Sequence, residues 1–424
     1  MKFKKTTLPN GLRVITVPVK ESPAVMVMVA VETGSNYENK PENGLSHFLE
    51  HMCFKGTVRR PSSSSIALEL DGLGAENNAF TANEFTTYWA RAAKKHLPNL
   101  IDIVSDLYLN PTLPDKDIEI ERGVILQEIS MYKDLPQIKV GWVLDRLLYG
   151  DTSAGKPIIG LPENIKKFTR KNFVNYRDKH YVAGKTIVVV AGDINERRVL
   201  ETIRKSFKGI TSGKRVGKKP MRPRQSRPAM LIERKKTNQA HMVLALHAFP
   251  AKDRRIPALE VLSEILGQGM SSRLFRRLRD EMGACYYVRA HVDQYTDHGI
   301  FAISTGISSS RTLEVLRALI EECRKITEIP VSGEELAKAK EHSIGHLYLG
   351  LETTDSLGRF YGEQEIVYGK LDNPQELERK IRKVTSKDVM KVAKDIFRDD
   401  RLNLAIVGGI ANQKTIKKAL TFKK

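Results

Sequence analysis

Two stretches near the start of the chain, residues 12–18 and 24–32, alternate or run apolar over short lengths, as β-strands do. A different period follows. Leu45, Phe48, Leu49, Met52 and Cys53 recur at i, i+3, i+4, i+7 and i+8, which predicts a helix with one buried face. Residues 114–136, bounded by prolines, and residues 334–351 also read as helices. Strand runs mixed with long helices predict an α+β fold, with helices packed on a mainly antiparallel sheet.

The pattern repeats. Phe168-Thr-Arg-Lys-Asn-Phe173 resembles Val384-Thr-Ser-Lys-Asp-Val389, and residues 187–194 resemble residues 403–410. Both pairs are offset by 216 (384 − 168 and 408 − 192). In each copy a threonine-capped helix leads into a short apolar strand ending at glycine. A collinear match of this kind predicts two homologous domains. Residues 212–228 are rich in Gly, Pro and charge and read as a linker. The expected organisation is therefore a first domain at 1–211, the linker, and a second domain at 229–424.

Composition narrows the function classes. The 424 residues are 41% hydrophobic and 28% charged, an ordinary globular balance. Three cysteines without a CxxC pair argue against a disulfide framework. The net charge of +20 is spread along the chain. No aromatic-spaced basic motif accompanies it, so a solvated surface is expected rather than a specific nucleic-acid site. The longest apolar run, residues 24–31, is too short to cross a bilayer, so no membrane span is expected. No apolar segment follows the basic residues after Met1, so no signal peptide is expected. The expected location is the cytoplasm, with a matured organellar protein as the alternative.

Candidate chemistry lies on the first predicted helix. Opposite its apolar face stand His47, Glu50 and His51, and Asn43 or Ser46 can cap its start. Two imidazoles one turn apart can bind one ion together, and Zn²⁺ accepts imidazole nitrogen at about 2.0–2.1 Å. Glu50 can reach a water on that ion without being a ligand. HxxEH is the inverse order of HExxH and is a recognised zinc-peptidase signature.

A catalytic zinc takes a third protein ligand and leaves a position open. The 114–136 helix carries Glu121 and Glu128 on one face, about 10 Å apart along the axis. One would be the ligand and the other would orient a histidine or the ligand. Spacing alone leaves that choice open. Counting 216 on from His47, Glu50 and His51 gives Ser263, Leu266 and Gly267, so the second half lacks the motif.

These features together resemble the insulinase and mitochondrial-processing-peptidase family, the pitrilysin-type inverzincins. The resemblance runs from Thr7-Leu-Pro-Asn-Gly-Leu-Arg-Val14 through the 47–57 run HFLEHMCFKGT, Asn78-Ala79-Phe80-Thr81 and the 121–128 segment, to Gly269-Met-Ser-Ser-Arg-Leu-Phe275. It implies one Zn²⁺ per chain held by His47, His51 and Glu128, with Glu121 in support and Glu50 as general base. It also implies that Asn78 and Ala79 hold substrate backbone on an edge strand. Arg279 and Tyr286 match the family's pair that holds the substrate carbonyl. The implied activity is a zinc-dependent endopeptidase acting on peptides or unfolded polypeptide segments. Its chamber would be formed by dimerisation, as a homodimer or with a related subunit. The alternative is a non-catalytic scaffold or partner subunit of a processing-peptidase-like complex.

Two other motifs are set aside. Gly150-Asp-Thr-Ser-Ala-Gly155-Lys156 has phosphate-loop spacing, but Pro157 stands where Ser or Thr must bind Mg²⁺. His342 and His346 are i, i+4 on a helix with no carboxylate between them, and read as polar decoration.

Overall fold

The structure, a computed structural model, describes residues 2–410 and 412–423. It divides into two compact units, each an α+β layer arrangement. No helix among the described residues is long and apolar enough to cross a membrane.

The first unit comprises residues 1–129, 156–219 and 349–373. Its sheet contains β1 (Lys4–Thr7), β2 (Arg13–Pro18), β3 (Ala24–Val31), β4 (Glu76–Thr81), β5 (Thr86–Ala93) and β6 (Thr186–Gly192), in the order β1-β2-β6-β3-β5-β4. Only β2 and β6 pair parallel. The second unit comprises residues 130–155, 220–348 and 374–424. Its sheet contains β7 (Ala229–Glu233), β8 (Gln239–Ala248), β9 (Cys285–Gln294), β10 (Gly299–Ser308) and β11 (Leu402–Val407), in the order β7-β11-β8-β10-β9. There the parallel pair is β7 with β11. Matching β2, β6, β3, β5 and β4 to β7, β11, β8, β10 and β9 gives one topology twice.

The repeat has a backbone cause. Gly192 and Gly408 end β6 and β11 with φ of +135° and +136°. A Cβ at either would meet the neighbouring strand at 2.8 Å, at Ala24 in one unit and Ala240 in the other. Only glycine fits this turn, and the two neighbouring alanines are themselves 216 apart. The helices before these strands begin alike. Asn172 and Asp388 accept the backbone N–H of Thr169 and Thr385 at 2.8 and 2.9 Å.

The units do not follow the linear boundary at 212–228. Helix Pro136–Tyr149, from the first half of the chain, belongs to the second unit, and helix Thr354–Val367, from the second half, belongs to the first. Each covers the far face of its sheet. In the second unit Met242, Leu244 and Leu246 enter one core, while Val243 and Ala245 pack with Val140, Val143 and Leu144 in another. That two-sided burial explains the uninterrupted apolar run at 242–246 in the middle of β8. In the first unit Gly358 and Gly362 let the helix lie against Met26 and Met28 of β3, where a Cβ at either glycine would run into the methionine.

The linker is partly pinned. Arg215 pairs with Glu32, and Lys218 reaches Glu84 at 3.2 Å, with both side chains of the latter pair buried. Part of the basic run at 214–219 thus neutralises carboxylates of the first unit.

Candidate metal centre

The helix bearing the HxxEH residues spans Leu45–Met52. Leu45, Phe48, Leu49, Met52 and Cys53 are all buried, as their spacing predicts. Phe48 packs edge-on to Phe173, with ring centroids 5.0 Å apart.

Its start differs from the sequence expectation. Neither Asn43 nor Ser46 caps it. Gly44 occupies the cap position at φ +99°, too close to Gly160 for either residue to carry a Cβ. The free backbone donors go to Glu38, which accepts Gly44 N–H at 2.8 Å and Ser46 N–H at 2.7 Å. A carboxyl from outside the helix thus satisfies two of the groups a helix start leaves unpaired. Burial pushes the Glu38 pKa up to about 7, against the opposing pull of these hydrogen bonds. The Ser46 hydroxyl is taken by Tyr176 at 2.7 Å.

His47 and His51 stand with ring centroids 4.7 Å apart. The second helix, Asp115–Asp134, brings both glutamates to them. Glu128 Oε2 lies 3.9 Å from Nε2 of His47 and 3.9 Å from Nε2 of His51. Glu121 Oε2 is instead 3.0 Å from Nδ1 of His51, and its other oxygen pairs with Lys55. One glutamate therefore faces both Nε2 atoms, and the other orients a ring from behind.

The donor set suits zinc. One donor atom from each of His47, His51 and Glu128 can be chosen so that all lie within 4.8 Å of one another. Tetrahedral zinc with bonds near 2.05 Å needs donors about 3.3–3.4 Å apart, a contraction of roughly half an ångström from the 3.9 Å seen here. Burial, aided by His51, holds the His47 pKa down at about 3, so this ring is neutral and able to donate a lone pair. Its Nδ1 is buried without a hydrogen-bond partner among the described residues, so nothing but packing orients it. For His51 burial pulls the pKa down, but Glu121 and the other carboxylates outweigh it and the net shift is upward. For Glu121 burial pushes the pKa up, and His51 and Lys55 outweigh it and hold it low.

Glu50 sits beside this cluster and accepts a 2.5 Å hydrogen bond from the Thr81 hydroxyl. Burial raises its pKa, and the Thr81 bond and His51 partly offset that. Thr81 is the last residue of β4, the outer strand of its sheet. Asn78 and Ala79 lie on the same edge, Asn78 exposed and Ala79 buried. The Asn78 carboxamide oxygen accepts the Ala79 N–H at 2.8 Å. Thr81, Lys55 and Glu38 all support the site, and the sequence reading assigned none of them a role. Lys55 lies in the 47–57 run and Thr81 in the 78–81 run that carry the family resemblance, whereas Glu38 lies in neither.

In the second unit Arg279 and Tyr286 are neighbours. Arg279 lies on a π-helical turn, Arg276–Glu281, and donates to the Tyr286 carbonyl at 2.9 Å. Its guanidinium stands 5.4 Å from the Tyr286 ring centroid, and Tyr286 is 77% exposed on edge strand β9. A cation and a phenol are thus presented together on the surface of this unit. Next to them, burial raises the Cys285 pKa against the opposing pull of Thr305 and Arg279, which disfavours a thiolate there.

A helix carrying HxxEH, a glutamate from a second helix and a sheet edge beside them define the class of HxxEH zinc peptidases. Residues 13–160 match the family described as Insulinase (Peptidase family M16), and residues 167–342 match the Peptidase M16 inactive domain. An uncharacterized zinc protease of Streptomyces coelicolor is 32% identical over 417 residues, 97% of this chain and 90% of the relative. An uncharacterized zinc protease of Bacillus subtilis is 31% identical over 400 residues, 94% and 96% of the two chains. A protease from Helicobacter pylori has the same fold at 22% identity, with a TM-score of 0.89 over 96% of this chain and 99% of that one. So does a peptidase M16 inactive domain from Pseudomonas fluorescens at 17% identity, with a TM-score of 0.89 over 97% and 100%. The chain belongs to the insulinase family, peptidase family M16, as its motifs had implied.

Proposed function

We propose that this chain is a zinc-dependent endopeptidase for peptides or unfolded polypeptide segments, with one Zn²⁺ held by His47, His51 and Glu128. The observation that carries the reading is the equal 3.9 Å approach of both Nε2 atoms to Glu128, with Glu50 alongside and not among the donors. Bound there, zinc would supply Lewis acidity toward water and toward the peptide carbonyl. Glu50 takes a proton from the attacking water at its carboxylate and returns it to the leaving amine. Thr81 fixes that carboxylate through Oε2. Glu121 keeps the His51 ring turned with Nε2 toward Glu128.

Substrate would add to the outer edge of β4, since an antiparallel edge offers unpaired backbone groups. An incoming strand must first displace the Asn78 carboxamide from the Ala79 N–H. That requirement favours extended segments over folded proteins. Arg279 and Tyr286 would hold the substrate carbonyl as negative charge develops on it. In the dimer we propose, the pair of one chain serves the metal centre of another, and two copies of this chain suffice. A scaffold subunit would have no use for a buried general base tied to a sheet edge, and that arrangement favours the catalytic reading.

Digestion of an unstructured peptide library tests the proposal. Cleavage that stops on chelation and returns with Zn²⁺ is expected. Cleavage indifferent to chelator, or none by zinc-loaded protein, overturns it.

A further inference from the structure

The metal-type constellation has a counterpart in the second unit. There the sequence shows no HxxEH, and His342 and His346 read as decoration for lack of a carboxylate between them. Tertiary structure supplies the carboxylate from another helix. Glu264, on helix Ile256–Gly267, accepts a 2.7 Å hydrogen bond from Nδ1 of His342, on helix Gly333–Leu349. The Nε2 of His342 then faces the Nε2 of His346 at 3.2 Å.

The likeness to the first centre is close. The rings of His47 and His51 have centroids 4.7 Å apart and planes at 59°, and those of His342 and His346 are 4.4 Å apart at 55°. In both pairs one Nδ1 is held by a glutamate from a partner helix, His51 by Glu121 at 3.0 Å and His342 by Glu264 at 2.7 Å. The helices correspond in chain order. Helix 256–267 precedes the β9–β10 hairpin as helix 45–52 precedes β4–β5, and helix 333–349 follows its hairpin as helix 115–134 does. The residue types are exchanged between them. In the first unit the earlier helix carries the histidines, and in the second the later one does.

We infer that His342 and His346, oriented by Glu264, form a second binding site for a borderline divalent transition ion such as Zn²⁺. Two bonds of about 2.05 Å to nitrogens 3.2 Å apart subtend roughly 100°, between the square and tetrahedral angles such ions adopt. The hydrogen bond to Glu264 places the His342 proton on Nδ1 and leaves the Nε2 lone pair free. In the metal-free pair His346 donates its Nε2 proton to that lone pair. Binding moves this proton to His346 Nδ1, so neutral rings bind with no net proton change. Access is open: His346 is exposed, the His342 side chain is 36% exposed, and Gly269 sets no side chain against the His342 ring. The nearby Lys338 ammonium is drawn to the Ser271 carbonyl at 2.9 Å. Among the described residues no donor corresponds to Glu128, so water completes the sphere and this site binds more weakly than the first.

The inference does not depend on peptidase activity. Metal-free full-length protein is dialysed against rising free Zn²⁺, and bound zinc per chain is measured by mass spectrometry. The wild type should fill in two steps, one equivalent tightly and a second more weakly. His346→Ala, at an exposed position, should abolish the second step and keep the first, together with the wild-type melting profile. Glu264→Gln should weaken the second step by roughly 10–100-fold. His47→Ala should remove the first step and leave the second. Saturation of the wild type at one equivalent overturns the inference. So does a second step that survives unchanged in His346→Ala.

Discussion

Thr81 Oγ1 donates to Glu50 Oε2 at 2.5 Å, joining the end of an edge strand to the carboxylate beside the two histidines. Strand and carboxylate are thereby held in one frame, so a peptide laid along β4 would be registered against Glu50, the proposed general base. Glu50→Gln should keep the metal and lose turnover by on the order of 10²–10⁴, because the amide keeps the shape but cannot take the proton. Thr81→Val should slow cleavage less, with metal content unchanged, and Thr81→Ser should restore it. Peptide-cleavage rates set beside metal analysis check both. Wild-type turnover by Glu50→Gln would sink the mechanism.

The two glutamates of helix Asp115–Asp134 should separate by phenotype. Glu128→Gln, like His47→Ala or His51→Ala, should strip zinc, since each removes one of three donors. Glu121→Gln should retain the site with about 10–100-fold lower affinity, because only the orientation of His51 is lost. Competitive chelator titration distinguishes them. If Glu121→Gln empties the site while Glu128→Gln keeps stoichiometric zinc, the assignments are reversed.

Lys185 should impose a pH dependence on stability. Its ammonium is buried, 3.0 Å from His180 Nδ1, 3.0 Å from the Val216 carbonyl and 4.2 Å from the centroid of the Tyr37 ring. Burial lowers its pKa to about 7, with Arg215 and Lys179 pushing the same way and Glu32 opposing. The unfolded chain keeps that proton to about 10.5. Between these values the unfolded state binds more protons, so stability rises with pH by up to about 1.4 kcal/mol per unit. Below about 7 the group is protonated in both states and its contribution is flat. Lys185→Met should flatten the rise between pH 7 and 9 in denaturant titrations. An unchanged slope in this variant would show that Lys185 is not its source.

A chamber shared between chains predicts complementation. Glu50→Gln chains and Arg279→Ala chains should each be inactive alone and partly active once subunits exchange. Some hybrid dimers then set an intact metal centre against an intact Arg279–Tyr286 pair. Activity assays after exchange, with dimer formation followed by sedimentation, read this out. No recovery despite proven exchange, or an active monomer, would overturn the shared chamber and leave the metal assignment standing.

Local pattern was enough for much of this protein. The apolar face of the 45–52 helix follows directly from its 3.6-residue period, and that same period places His47, Glu50 and His51 together on the opposite side. The two-fold architecture is equally legible, because glycines at 192 and 408 and the capped helices before them are short-range requirements of the backbone. Other decisions were made between residues far apart in the chain, where no period reaches. Spacing puts Glu121 and Glu128 on one face of a helix, but only the packing of that helix turns one toward both Nε2 atoms and the other toward Nδ1. Glu38 caps the histidine helix from outside it, which no cap motif encodes. The exchange of helices 136–149 and 354–367 between units depends on which sheet face needs cover, and apolar periodicity marks a face as buried without naming its partner. For the same reason His342 and His346 looked ordinary: the carboxylate that holds the His342 ring comes from Glu264, on a helix earlier in the chain that only folding brings alongside.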